Sequence, residues 1–178
     1  DPRLVETLVR KNPIYKGKMV NFCVDDIRLP NGHSATREYL DHPGAVAVVP
    51  FLDRQTVVMV RQYRHPVGEV TLEIPAGKLD RGESPLICVK RELREETGYS
   101  AKRIKPLINY WPTPAFANEV LRLYVAEGLV AGRQDPDDDE FIEAVPLPLA
   151  AALDYIRRGK IKDSKTLIGL LACAAWRK

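Results

Sequence analysis

Seven consecutive residues, Ala45–Phe51, carry neither a charge nor a side-chain hydrogen-bonding group. The run follows the punctuation His42-Pro43-Gly44 and is too short to span a bilayer as a helix. It reads as a strand buried on both faces. Thr56–Tyr63 and Glu69–Ile74 continue as strands, residues 85–97 as a helix, and Ile104–Tyr110, Glu119–Ala126 and Phe141–Pro146 as further strands. Two helices close the chain, Pro148–Gly159 ending at Gly159 and Ser164–Arg177 capped by Ser164. Upstream, Lys18–Ile27 and Ser34–Tyr39 read as strands on either side of the turn Leu29-Pro30-Asn31-Gly32. A lone hairpin is marginal in water, so residues 17–39 must pack on the main body or on another subunit. The expected class is α+β or a three-layer arrangement, with a mixed, β-rich core and a few helices. The expected organisation is a β-rich extension over residues 1–42 and one main domain over residues 43–178.

The 178 residues suit one domain with an extension. With 27 basic and 24 acidic residues, the net charge of +3 permits an anionic ligand but falls short of a nucleic-acid-binding arm. Three widely spaced cysteines, Cys23, Cys88 and Cys173, fit neither a disulfide framework nor a zinc knuckle and point to a reducing compartment. A cytoplasmic protein is expected, with no role at a membrane.

The chemistry concentrates between residues 77 and 99. A turn-rich loop from Gly77 to Glu83 leads into Ser84-Pro85, an N-cap followed by proline at the first helical position, and Gly98 stops the helix. Leu86, Val89, Leu93 and Thr97 form the stripe expected to be buried. Glu92 and Glu96, four residues apart, lie within about 40° of each other at its margin, and Glu95 lies about 60° to the solvent side of Glu92. With Glu83, four carboxylates converge on a short element that offers only Arg91 and Arg94 in return. Such a cluster is either a solvated, salt-bridged helix face or the ligand set of a hard divalent cation.

In order, the segment reads Gly77, five residues, Glu83, seven residues, Arg91-Glu92-Leu93, one residue, Glu95-Glu96, one residue, Gly98-Tyr99. This resembles the signature of the Nudix hydrolases at every fixed position, with Tyr99 where an aliphatic residue is commoner. The resemblance implies the Nudix fold, an α/β/α sandwich, and hydrolysis of a nucleoside diphosphate linked to another group. It implies that Glu92, Glu95 and Glu96 bind Mg²⁺ or Mn²⁺, with the Ala76 carbonyl completing the site. Glu83 and Arg91 would form the ion pair that holds the loop against the helix.

The flanks narrow the substrate. Glu73-Ile74-Pro75-Ala76-Gly77-Lys78 resembles the Glu-Leu-Pro-Ala-Gly-Lys stretch of ADP-ribose pyrophosphatases, and Pro114, sixteen residues after Gly98, stands where that group carries a proline. Thr113–Glu119 is similar to their Ser-Pro-Gly-x-x-x-Glu loop, with Ala115 in place of glycine. Arg64, in Gln62-Tyr63-Arg64, resembles the arginine that contacts the substrate diphosphate, a task suited to a guanidinium fork. Arg37 looks like the arginine that relatives extend across a dimer towards the adenine end. Lys18 stands where they carry a stacking aromatic, which leaves Tyr15 or Phe22 for the base.

The resemblance implies hydrolysis of ADP-ribose to AMP and ribose 5-phosphate, by a homodimer that exchanges its N-terminal strands. The acidic stretch Asp135–Glu140 precedes Val145-Pro146-Leu147, where relatives supply a water-activating glutamate, so Glu140, or else Glu143, would be the base. Other nucleoside diphosphate sugars are the alternative substrates. A nucleotide- or RNA-binding regulator on a Nudix scaffold is the alternative class, opposed by the intact catalytic segment and the lack of a basic, aromatic-rich face.

Overall fold

The computed structural model describes residues 1–135 and 140–176, and the chain divides into two units. The larger consists of Ala45–Tyr110 and Leu121–Lys178. Its strands are β5 (Ala45–Phe51), β6 (Thr56–Arg64), β7 (Glu69–Glu73), β8 (Ala76–Lys78), β9 (Tyr99–Tyr110), β10 (Leu121–Ala131) and β11 (Glu143–Pro148). They form one sheet in the order β11-β6-β5-β10-β9, with β7 added on β6 and β8 on β5. β5 and β10 run parallel and every other pair is antiparallel.

The apolar run is the central strand, buried throughout. Successive strand side chains point to opposite faces, so its odd and even residues enter different cores. Val46 and Val48 pack with Cys88, Val89 and Leu93 of helix α1 (Pro85–Thr97). Ala45, Ala47, Val49 and Phe51 pack with Ala152 of α2 (Leu149–Arg157) and with Leu170 and Cys173 of α3 (Ser164–Trp176). Helices therefore cover both faces of a mixed sheet. Each fully buried Val or Leu here contributes about 1.5–3 kcal/mol.

Helix α1 starts and stops as its sequence dictates: the Ser84 side chain accepts from the Ile87 N–H, and Gly98 takes a left-handed φ of 75°. Its buried stripe differs at one end. Leu86 is 45% exposed in the first turn, whereas Cys88 and Glu96 are buried beside Val89, Leu93 and Thr97. Helix α3 is capped by Asp163 and not by Ser164, because the Asp163 carboxylate accepts from the Thr166 N–H at 3.0 Å. β9 and β10 run beyond their expected ends because Tyr99–Arg103 pairs with Glu127–Ala131, and Ala101 and Leu129 pack against the core beneath α1. No helix among the described residues is long and apolar enough to cross a membrane.

The smaller unit consists of Asp1–Gly44 and Trp111–Val120. Its sheet joins β1 (Thr7–Arg10), β2 (Pro13–Lys16), β3 (Asn21–Arg28) and β4 (Ser34–Asp41). β4 pairs along the whole of β3, and β1 and β2 share the other edge of β3. The expected turn forms, with the Gly32 N–H donating to the Leu29 carbonyl at 2.9 Å. β1 and β2 fall outside the expected strands because every residue in them is exposed and no buried alternation marks them. Buried Asp25 is satisfied by the Asn12 N–H at 3.0 Å and the Tyr39 hydroxyl at 3.1 Å.

Candidate active site

The site in the larger unit is assembled where β8, the loop after it and α1 meet. Arg91 is the hub. Its Nε and Nη2 donate to the two oxygens of Glu83 at 3.0 and 3.1 Å, which ties the loop to the helix as expected. Its Nη1 lies 2.8 Å from Glu92 Oε1 and 2.9 Å from Glu95 Oε2. The Arg91 hydrogen bond holds the Glu83 carboxyl at about 2.

Glu92 and Glu96 sit deeper. A Cβ placed on Gly77 would lie 1.8 Å from Glu92 Oε1, so the bare glycine backbone is the floor of the Glu92 carboxylate. Glu96, 3% exposed, accepts from the Ala76 N–H at 2.9 Å. Burial pushes Glu92 up to about 7 against the pull of Arg91, and Glu96 up to about 8 against the Ala76 hydrogen bond. Glu140 is near enough for its charge to raise both. Three carboxylates, Glu83, Glu92 and Glu95, thus share one guanidinium, and the most buried of the four, Glu96, is held by the Ala76 N–H.

As the side chains stand, no group of three or more His, Cys, Asp or Glu residues converges in metal-holding geometry among the described residues. Arg91 lies between Glu92 and Glu95, and Glu96 turns to the Ala76 N–H. The donor set nevertheless fits a hard divalent cation: oxygen ligands only, under-compensated charge, and a glycine floor that makes room for the Glu92 carboxylate. Glu95 is half-buried on the outer side, consistent with its place on the helical wheel.

Beside this cluster stands Arg64, at the end of β6. Its Nε and Nη2 donate to Glu73 at 2.8 and 2.7 Å, and its Nη1 has no hydrogen-bond partner among the described residues. Glu73, expected as a substrate contact, is 2% exposed and accepts from Arg64, Thr71 and Lys165, which leaves it facing inward. Burial pushes the Glu73 carboxyl up, but the Arg64 hydrogen bond and the Lys165 charge together outweigh it and hold the group at about 2.

The other expected residues are spread between the two units. Arg37, Tyr15 and Pro114 belong to the smaller one. Arg37 on β4 pairs with Glu6, Tyr15 on β2 is exposed, and Pro114 lies in a turn closed by the Ala117 N–H donating to the Thr113 carbonyl at 3.1 Å. Glu143 opens β11 and pairs with Arg61 at 3.1 Å on the surface. Of the acidic stretch, residues 136–139 lie outside the described residues.

Sequence reasoning missed two residues here. Gln134 donates through Nε2 to the carbonyls of Glu96 and Ile142, at 2.8 and 3.0 Å, so it pins the far end of the acidic stretch to α1. Lys165 is buried beside Glu73 and Asp163. A lysine in the first turn of a closing helix that is apolar after Thr166 is the one signal for it.

The model of the NUDIX domain matches residues 41–166. The chain belongs to the Nudix family. Among curated proteins it is 39% identical to an ADP-ribose pyrophosphatase of Bacillus subtilis over 165 residues, covering 92% of this chain and 89% of that one. It is 44% identical to a methanol dehydrogenase activator of Bacillus methanolicus over 167 residues, covering 93% and 90%. A crystal structure described as an ADP compounds hydrolase superposes with a TM-score of 0.84 at 22% identity, over 97% of this chain and 95% of that one, and so shares the Nudix fold.

Proposed function

We propose that this Nudix protein hydrolyses ADP-ribose to AMP and ribose 5-phosphate with Mg²⁺ or Mn²⁺. The observation that carries the reading is the pair Glu92 and Glu96, seated on the Gly77 and Ala76 backbone within a glutamate cluster that carries more negative charge than Arg91 can offset. The 39% identity to an ADP-ribose pyrophosphatase supports the substrate. Glu92 and Glu96, with Glu95 and the Ala76 carbonyl, would hold the cation. A bound divalent ion neutralises charge on the diphosphate and acidifies a coordinated water. Glu83 and Arg91 fix the loop beneath it. Arg64 presents its Nη1 edge to a phosphate oxygen, with Glu73 behind it fixing the fork. Glu140 takes the proton from the attacking water. Arg37, Tyr15 and Pro114 shape the nucleoside end, in a cytoplasmic homodimer.

A panel of nucleoside diphosphate compounds with Mg²⁺ and Mn²⁺, followed by monophosphate release, tests the reading. ADP-ribose should give the highest kcat/KM. A clear preference for ADP-glucose or GDP-mannose would replace the substrate and leave the site intact. Glu92→Gln and Glu96→Gln should each abolish most turnover while the protein stays folded. Near-full activity in either at limiting Mg²⁺ would refute the metal assignment.

The 44% identity to the methanol dehydrogenase activator favours a second reading, activation of a dehydrogenase. Adding the chain to a purified methanol dehydrogenase and measuring its turnover decides that reading separately.

A further inference from the structure

The first turn of α3 is tied to the strand that precedes the catalytic loop by three side chains. Asp163 accepts from the Thr166 N–H at 3.0 Å and from the Thr166 hydroxyl at 2.6 Å, and the Ile74 N–H donates to that same hydroxyl at 3.0 Å. Lys165 Nζ donates to Asp163 Oδ1 at 2.9 Å and to Glu73 Oε2. Glu73 in turn holds Arg64 through both oxygens, and Thr71 adds a 2.6 Å bond to Oε1. The chain of charge runs Asp163, Lys165, Glu73, Arg64, alternating in sign.

Burying a lysine is costly unless its charge is paired, and Asp163 caps the helix without needing Lys165. At 8% exposure, Lys165 is paired directly with Glu73 and Asp163, and its charge also reaches Glu96. Its position on Glu73 Oε2 matters because Arg64 Nη2 donates to the same oxygen. Two cations sharing one carboxylate leave each only part of its charge, so part of the Arg64 charge stays available for an incoming anion.

We propose that Lys165 is a positioning residue for Arg64, acting through the shared Glu73 carboxylate and setting how strongly Arg64 attracts the substrate diphosphate. The inference rests on the proposed role of Arg64 at the diphosphate. Without Lys165, Glu73 draws on Arg64 alone, the fork is held more tightly, and less of its charge faces the ligand.

The test is a double-mutant cycle of Lys165→Met and Arg64→Lys, with KM and kcat for ADP-ribose measured beside the dissociation constant for ADP-ribose in EDTA, where nothing turns over. Lys165→Met should raise KM and the dissociation constant about tenfold, a loss typical of a weakened charge-assisted contact, with kcat changed less than about twofold. In the Arg64→Lys background the same change should add nothing, because residues acting through one contact are not additive. A lysine that only stabilises the fold would lower the melting temperature and the active fraction and leave KM and the dissociation constant unchanged, which would overturn the proposal. Equal losses in both backgrounds would also overturn it. Should Lys165→Met not fold, Lys165→Gln keeps a donor to Glu73 without the charge and must show the same pattern. Failure of the wild-type protein to hydrolyse ADP-ribose would reject the functional reading instead, and the cycle would then be read on ADP binding, which presents the same diphosphate.

Discussion

The Glu92 carboxylate occupies the space that a side chain at Gly77 would take: Oε1 lies 1.8 Å, and Oε2 2.5 Å, from the position of a Cβ there. The motif glycine is thus required by what lies above it. Gly77 is not among the positive-φ glycines, so its backbone accepts any residue, and the constraint is one of space. Gly77→Ala should fold, because the atom it displaces is the tip of a flexible side chain. It should lower activity about 10–100-fold by moving a ligand of the proposed cation site. Circular dichroism and Mg²⁺ titration of turnover check this, and an Ala variant with unchanged Mg²⁺ dependence would show that Glu92 acts elsewhere.

Glu140 and Glu143 stand on either side of the start of β11 and should separate cleanly. Glu140 lies within electrostatic reach of Glu92 and Glu96, whereas Glu143 spends its carboxylate on Arg61 at the surface. Glu140→Gln should lower kcat strongly with little change in substrate binding, because a proton acceptor is lost and not a diphosphate ligand. Glu143→Gln should be close to silent, since an exposed pair contributes about 0–1 kcal/mol. A silent Glu140→Gln would move the base to Glu143 or to a glutamate of the helix.

Gln134 should matter for the same residue. Its amide bridges the Glu96 and Ile142 carbonyls, and the Asp135 N–H donates to the Glu95 carbonyl at 3.2 Å, so both ends of the acidic stretch are fastened to α1. Gln134→Leu keeps the volume and removes two bonds. It should lower kcat in the direction of Glu140→Gln, and the double variant should be no worse than Glu140→Gln alone. Steady-state kinetics of the three proteins decide it, and a fully additive double variant would refute the link.

Acid stability should report the Glu73 network. Arg64, Lys165 and Thr71 hold the folded Glu73 carboxyl at about 2, below its ordinary value of 4.5. A depressed carboxyl contributes stability above its unfolded pKa and loses it as pH falls through the folded one. The melting temperature of the wild-type protein should therefore exceed that of Glu73→Gln at neutral pH. The gap should close between pH 4.5 and about 2. It corresponds to a few kcal/mol at most. A gap independent of pH would mean that packing, and not the charge of Glu73, holds this corner.

Self-association is expected from the smaller unit. Leu8, Val9, Ile14 and Tyr15 on β1 and β2, with Leu4, Val5 and Met19 beside them, are all at least half exposed, which is more apolar surface than a strand edge normally leaves open. Sedimentation should give a dimer, and Val9→Lys with Ile14→Lys should shift it to monomer and lower ADP-ribose turnover. A wild-type monomer with full activity would dismiss the exchanged-strand arrangement.

The residues between Gly77 and Gly98 determined much of this protein locally. Ser84 and Gly98 bound α1 through hydrogen bonds within a few residues of sequence, and the spacing of Glu92 from Glu96 fixes their common side before any tertiary contact forms. Ala45–Phe51 likewise announced a central strand, because only cover on both faces tolerates such a run. What sequence order could not decide was long-range. Leu86 pairs with the buried stripe on a wheel but lies in the first turn and stays exposed. Both Asp163 and Ser164 could cap α3, and the docking of Thr166 on the Ile74 N–H goes with Asp163. Glu73 looked like a ligand of the substrate until Lys165, 92 positions away, and Arg64 enclosed it. Burial and charge pairing between distant residues follow from how elements pack, which is why the helix and its glutamates were legible in the sequence and the network behind Arg64 was decided by the tertiary structure alone.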